Sequence, residues 1–134
     1  MKKINTIAII DDDDIYKYTA KKTILETEFV NNIITFSDGQ EAIEFFLEKQ
    51  GAPDELPDII FLDINMPILD GWQFLEEYAP LKNKIQKEIQ IYVTSSSTNP
   101  DDLIQAKNIT AVSDYIIKPL SIERFKEIFE KLRY

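Results

Sequence analysis

The sequence contains no cysteine and no histidine in 134 residues. Without cysteine there is no disulfide scaffold and no thiolate nucleophile, and a reducing compartment is allowed. Without histidine the chain lacks the commonest metal ligand, the usual general base near neutral pH, and any phosphohistidine step of its own. No apolar run approaches the ~20 residues of a membrane-spanning helix. Met1-Lys2-Lys3 followed by Ile4 to Ile10 has the outline of a signal peptide. That stretch is short, is interrupted by Asn5 and Thr6, and runs into four aspartates with no small-residue cleavage site, so it reads as a buried strand. The expectation is a soluble, cytoplasmic protein with no membrane insertion. Basic residues are the minority, 15 Lys+Arg against 24 Asp+Glu, for a net charge of −9. An acidic surface repels phosphate backbones and anionic lipid, so no direct nucleic-acid partner is expected.

Hydrophobic residues make up 44% of the chain, enough for one packed core and too many for disorder. Short apolar runs alternate with amphipathic segments. Ile7–Ile10, Ile33–Phe36, Ile59–Leu62, Ile89–Thr94 and Tyr115–Ile117 read as strands. Between them lie five helical segments. The first, from Ile15 to about Phe29, places Ile15, Tyr18, Leu25 and Phe29 on one face. The second opens on a capping box at Asp38–Glu41 and buries Ala42, Ile43, Phe46 and Leu47. The third carries Trp72, Phe74, Leu75 and Tyr78, with Pro80 expected to end or kink it. Asn99-Pro100-Asp101-Asp102 starts the fourth with a cap, a first-position proline and two acids. Ser121 caps the fifth, which buries Ile122, Phe125, Phe129 and Leu132. Five βα units in succession imply a doubly wound α/β fold, (βα)5, with a five-stranded parallel sheet and helices on both faces. Residues 1–134 read as a single domain with no output domain attached.

In such a sheet, ligands bind beyond the carboxyl ends of the strands. Asp11 to Asp14 follow the first strand, Asp63 the third, Ser95-Ser96-Ser97 the fourth, and Lys118-Pro119 the fifth. Acids, hydroxyls and one lysine therefore converge on one edge. Asp13 and Asp14 are equally well read as helix caps. Asp11 and Asp12 leave a buried strand directly and would face Asp63. Close carboxylates repel unless a cation or protons intervene, and an oxygen-only site suits Mg²⁺. A carboxylate closing a strand buried on both faces is costly without a role, and carboxylates accept phosphoryl groups as acyl phosphates. A metal on one side and the Lys118 ammonium on the other would supply the charge stabilisation that phosphoryl transfer needs.

Ile9-Ile10-Asp11-Asp12-Asp13, the run Leu62-Asp63-Ile64-Asn65-Met66-Pro67-Ile68-Leu69-Asp70-Gly71, the Thr94-Ser95-Ser96 region and Tyr115-Ile116-Ile117-Lys118-Pro119 together resemble the response-regulator receiver family. The resemblance spans Ile7 to Leu132 and is closest to stand-alone, chemotaxis-regulator-like receivers of two-component signalling. It implies a flavodoxin-like strand order 2-1-3-4-5. It also implies roles by position. Asp63 matches the phosphoacceptor, Asp12 the direct Mg²⁺-binding acid, Asp11 its partner through water, and Asn65 the position whose carbonyl binds the metal. Ser95 matches the hydroxyl that meets the phosphoryl group, Lys118 the lysine that pairs with it, and Tyr115 the switch aromatic. Two registers stay open: the four-aspartate run can slip by one, and the hydroxyl can be Thr94 instead of Ser95. Ser95 is preferred because Ser95 to Asp102 looks like the serine-rich form of this loop in stand-alone receivers. The family's Gly-Ala before the fifth strand is replaced by Asn108 to Val112. The resemblance further implies a cis Lys118–Pro119 bond and a phosphodonor that is a sensor histidine kinase or a histidine phosphotransfer protein. A separate effector protein would read the fourth helix, fifth strand and fifth helix. The resemblance thus implies a switch that catalyses at most its own phosphorylation and slow dephosphorylation. Two rivals share the fold class. A haloacid-dehalogenase-like phosphatase would use Asp11 and Asp13, and a flavin carrier would need a phosphate loop where four aspartates stand.

Overall fold

The computed structural model describes residues 3–132. The strands are β1 (Ile4–Ile10), β2 (Val30–Phe36), β3 (Ile59–Asp63), β4 (Gln90–Ser95) and β5 (Val112–Ile117). The helices are α1 (Asp14–Glu26), α2 (Gly39–Lys49), α3 (Gly71–Lys82), α4 (Pro100–Lys107) and α5 (Ile122–Glu130). All strand pairs are parallel, in the order β2-β1-β3-β4-β5. The chain is therefore doubly wound as expected, with β1 and β3 at the point where the order reverses. No helix among the described residues is long and apolar enough to cross a membrane.

Strand alternation sorts the core into two layers. Ala8, Ile10, Ile60, Leu62, Ile91 and Val93 point toward α2 and α3, where Phe46 meets Phe74 and Tyr78. Ile7, Ile9, Ile59, Phe61, Tyr92 and Ile116 point toward α1 and α5, where Phe61 meets Phe125 edge-on. Ile7–Ile10 of β1 and Ile59–Leu62 of β3 read as unbroken apolar runs because both faces are covered there.

Helix α1 departs from the expected face. Its buried residues are Lys17, Ala20 and Ile24, whereas Ile15 is 79% and Tyr18 65% exposed, and Leu25 is also exposed. The Asp13 side chain accepts from Tyr16 N, so Asp13, not Asp14, caps the helix and fixes its rotation. Ile15 and Ile24 lie about two and a half turns apart and so on opposite sides. Phe29 falls beyond the helix end at Glu26. Similarly, Leu47 is exposed on α2, and α5 buries Ile128 beside Phe125 and Phe129 while Ile122 and Leu132 are only half-buried. Pro80 does not end α3, which continues to Lys82; the proline sits exposed near the helix end. The segment that replaces Gly-Ala closes by short turns, Ile109 N to Ala106 O and Val112 N to Ile109 O, and β5 starts at Val112.

Candidate functional site

Alternation along each strand decides which side chains meet at the carboxyl edge. Asp11 continues the face of Ile7 and Ile9, Asp63 that of Ile59 and Phe61, and Lys118 that of Ile116, all on the α1/α5 side. Asp11 and Asp63 are buried, and Asp12 is exposed beside them. One carboxylate oxygen from each of Asp11, Asp12 and Asp63 lies within 4.8 Å of the others. Lys118 Nζ donates to Asp11 Oδ2 at 2.9 Å and stands 3.6 Å from Asp63 Oδ1. The Lys118–Pro119 bond is cis.

Asp63 is poorly compensated. Among the described residues its only hydrogen bond from the backbone comes from Asn65 N to Oδ1, at 3.4 Å. Burial first, then the charge of Asp11, pushes its carboxyl up to about 6, against the pull of Lys118 and the Asn65 amide; Asp12 adds a further upward push. For Lys118, burial opposes the charged form, but the hydrogen bond and charge of Asp11, with Asp63 behind them, outweigh it and leave the ammonium above its usual range. The donor set is oxygen only, crowded, and open on the Asp12 side, which fits a small hard cation such as Mg²⁺.

The loop after β3 is held from both ends. A Cβ on Gly71 would lie 2.6 Å from Asp63 O, so only glycine lets α3 begin this close to the Asp63 backbone. Gly71 N donates to Ile64 O, and Asp70 and Gln73 form a reciprocal capping box at the helix start. Ile68, at φ 68°, is a β-branched residue in the left-handed region and is largely exposed to solvent.

The two hydroxyl candidates separate by register. Thr94 pairs directly with Asp63 across β3 and β4 and so shares its face. Ser95 points to the other face with Val93; its Oγ accepts from Ser97 N at 3.0 Å and it has no exposed surface. Tyr115 is half-buried against the α2/α3-side core, and its hydroxyl donates to Ser97 O at 2.9 Å. Asn65 is exposed two residues past Asp63.

Sequence reasoning missed two residues. The Tyr16 ring centroid lies 4.6 Å from Lys118 Nζ. Burial, then the charges of Asp11 and Asp63, push its hydroxyl well above the ordinary range. Lys17 is buried and donates to Ser37 Oγ at 3.0 Å, tying α1 to the end of β2. The available signal was the Asp13 cap, which fixes the rotation of the first turn and sends Tyr16 and Lys17 inward.

Comparison with known proteins places this site in context. A family model described as "Response regulator receiver domain" matches residues 7–130. The solved structure of a two-component response regulator from Cytophaga hutchinsonii superposes with a TM-score of 0.84 at 32% identity, covering 98% of each chain. A response regulator receiver protein from Dyadobacter fermentans gives 0.81 at 26% identity, covering 95% of this chain and 96% of that one. The probable C4-dicarboxylate response regulator DctR of Bacillus subtilis is 29% identical over 95% of this chain, which spans only 51% of DctR. The probable methanogenesis regulatory protein FilR2 of Methanothrix harundinacea is 27% identical over 95% of this chain and 80% of its own length.

Proposed function

The chain belongs to the response-regulator receiver family of two-component signalling, and from that premise we propose that Asp63 is a phosphoacceptor served by a phosphohistidine on a separate histidine kinase or histidine phosphotransfer protein. The observation that carries this reading is the Asp63 carboxylate, buried, short of hydrogen bonds, and flanked by Asp11 and the Lys118 ammonium. In the transfer an Asp63 oxygen attacks phosphorus, the P–N bond of the donor breaks, and its electron pair returns to the imidazole nitrogen. Lys118, already 3.6 Å away, neutralises charge on the incoming phosphoryl oxygens. Asp11, Asp12, Asp63 and the Asn65 carbonyl are the groups that would hold Mg²⁺, which when bound offsets carboxylate and phosphoryl charge. Thr94, on the face of Asp63, is the hydroxyl placed to meet the phosphoryl group.

A signalling switch fits the site better than a phosphatase. The second acid a phosphatase would use, Asp13, is occupied in capping α1. Ile15 and Tyr18 on α1 and Ile68 in the loop after β3 are exposed and available to a phosphodonor protein. Readout by a separate effector falls on α4, β5 and α5, where Leu103, Ile104 and Ile117 are exposed. Drawing the Thr94 hydroxyl toward the phosphoryl group alters the β4–α4 loop, to which Tyr115 is tied through Ser97 O. Reversing a two-state equilibrium from 1:99 to 99:1 takes about 5.5 kcal/mol. Charge-assisted bonds to one phosphoryl group are of that order.

The test is incubation with acetyl phosphate and Mg²⁺, read by intact mass. The parent gains one phosphoryl group and Asp63→Asn gains none. Equal labelling of the two proteins rules out Asp63 as the acceptor.

A further inference from the structure

Four contacts close a ring around the Lys118 ammonium. Lys118 Nζ donates to Asp11 Oδ2 at 2.9 Å. The other oxygen of Asp11 accepts from Asp13 N at 2.9 Å. The Asp13 carboxylate accepts from Tyr16 N at 3.0 Å. The Tyr16 ring returns to Lys118, with its centroid 4.6 Å from Nζ. The aspartate run, the helix cap and the aromatic ring are thus one unit, built by the β1–α1 connection and the first turn of α1.

An ammonium carries three donor protons on a flexible stem and moves readily to whichever anion is nearest. Here it is bonded to Asp11 and is farther from Asp63. Assisting transfer requires the opposite emphasis, with the ammonium held at the phosphoryl oxygens. The Tyr16 face attracts a cation without offering a competing acceptor, and more strongly where water is excluded. The Lys118 side chain is largely buried, and Tyr16 lines a narrow crevice of about 30 Å³ with Ala20, Pro119, Leu120 and Phe125. Across that crevice the ring faces Pro119 and Leu120 of the β5–α5 connection, and the space is too small to take the ring itself.

Resting on the phosphoacceptor reading above, we propose that Tyr16 is a positioning residue whose ring face holds the Lys118 ammonium in place to pair with the phosphoryl group on Asp63. The hydroxyl is not needed for this; the aromatic face is. Tyr16 acts through Lys118 and does not itself touch the phosphoryl group.

The experiment uses the whole chain, Mg²⁺ at saturation, and beryllofluoride as the phosphoryl mimic, with binding followed by Trp72 fluorescence. Parent binding and its loss in Asp63→Asn check the underlying reading first. Tyr16→Leu is then expected to weaken beryllofluoride about tenfold, and Tyr16→Phe to stay within about twofold of the parent. In a Lys118→Ala background, Tyr16→Leu should add less than about twofold, because the group it positions is gone. The Lys118 ε-methylene resonance should be displaced by the ring in the parent and in Tyr16→Phe, and ordinary in Tyr16→Leu. If Tyr16→Leu does not fold, a series of increasingly fluorinated phenylalanines at position 16 keeps the shape while stripping charge from the ring face, and affinity should fall along it. The proposal is overturned by parent-like affinity in Tyr16→Leu, by equal losses with and without Lys118, by a Tyr16→Phe as weak as Tyr16→Leu, or by a flat fluorination series.

Discussion

Strand β3 is flanked by an aspartate at each end, and the two are opposites. Asp58, just before the strand, is fully served. Its Oδ2 accepts from Asn5 N at 3.1 Å and Thr6 N at 3.2 Å, and its Oδ1 pairs with Lys87 Nζ at 3.0 Å. Lys87 also donates to Pro53 O and Leu56 O, so the carboxylate anchors both β1 and the loop before β3. Asp63, at the other end of the strand, has one long backbone bond, a cation shared with Asp11, and two acidic neighbours. The first end spends its charge on holding the fold together. The second leaves its charge only partly compensated, and such a carboxylate is one that a cation or a phosphoryl group can still act on.

The comparison predicts stability effects of opposite sign. Asp58→Ala leaves two backbone N–H groups and the Lys87 ammonium without their acceptor. It should cost about 2–4 kcal/mol in urea denaturation at neutral pH. A cost below about 1 kcal/mol would mean that the bonds at this end are replaced by water and that the contrast is overstated.

Asp63→Asn should instead stabilise. The folded carboxyl is raised to about 6, whereas an unfolded aspartate titrates near ~3.9. Below about pH 4 the group is protonated in both states and exacts nothing. As pH rises from there, the unfolded chain ionises first, so folded stability falls until the folded carboxyl ionises too. Above about pH 6 the full penalty applies, about 1–3 kcal/mol. The variant should therefore exceed the parent by that amount at pH 7 without Mg²⁺, and the gap should close toward pH 4. A gap independent of pH would locate its origin outside the titration of Asp63.

A smaller effect sharpens the same edge. With Thr94 opposite Asp63 and Ser95 turned away, Thr94→Ala should weaken beryllofluoride binding about tenfold, or about 1.4 kcal/mol. Ser95→Ala should change it less than about threefold, acting only through the β4–α4 loop. The reverse ranking would show that the end of β4 rearranges when the phosphoryl mimic binds.

The strand ends were readable in the sequence because apolar runs buried on both faces leave little choice of register, and the residue that follows each run must lie at the sheet edge. That argument found Asp11, Asp63 and Lys118 and brought them to one place. It did not separate Thr94 from Ser95, because a one-residue slip in a run of hydroxyls leaves no mark on hydrophobicity; pairing with β3 does. Helix faces were less legible. On α1 the apolar residues Ile15, Tyr18 and Leu25 outnumber the inward Ala20 and Ile24, and the inward face also includes a lysine. Periodicity weighs side-chain type, and here the larger apolar groups are on the outside. The cap at Asp13 carried the correct rotation. Tyr16 was overlooked for the same reason, since its place beside Lys118 follows from the cap and not from any apolar pattern.

The two sides of α1 repeat the contrast between the ends of β3, one side structural and one side free to act on something else, and they carry the smallest predicted effect. Ile15→Ala should alter stability by no more than about 0.5 kcal/mol, since the side chain is 79% exposed. Ile24→Ala, at a site with no exposure, is the reference and should cost about 2–4 kcal/mol. We propose that the exposed Ile15 contributes to docking of the phosphodonor protein. Labelling of Ile15→Ala by acetyl phosphate should therefore match the parent, because a small donor needs only Asp63 and its neighbours. On that proposal, transfer from a phosphohistidine protein should slow several-fold, because that donor must pack on Ile15 as well as reach Asp63. Equal slowing with both donors would place the effect inside the site, through the first turn that carries Tyr16. No slowing with either would make Ile15 a surface residue without a task and would shift donor docking to another face.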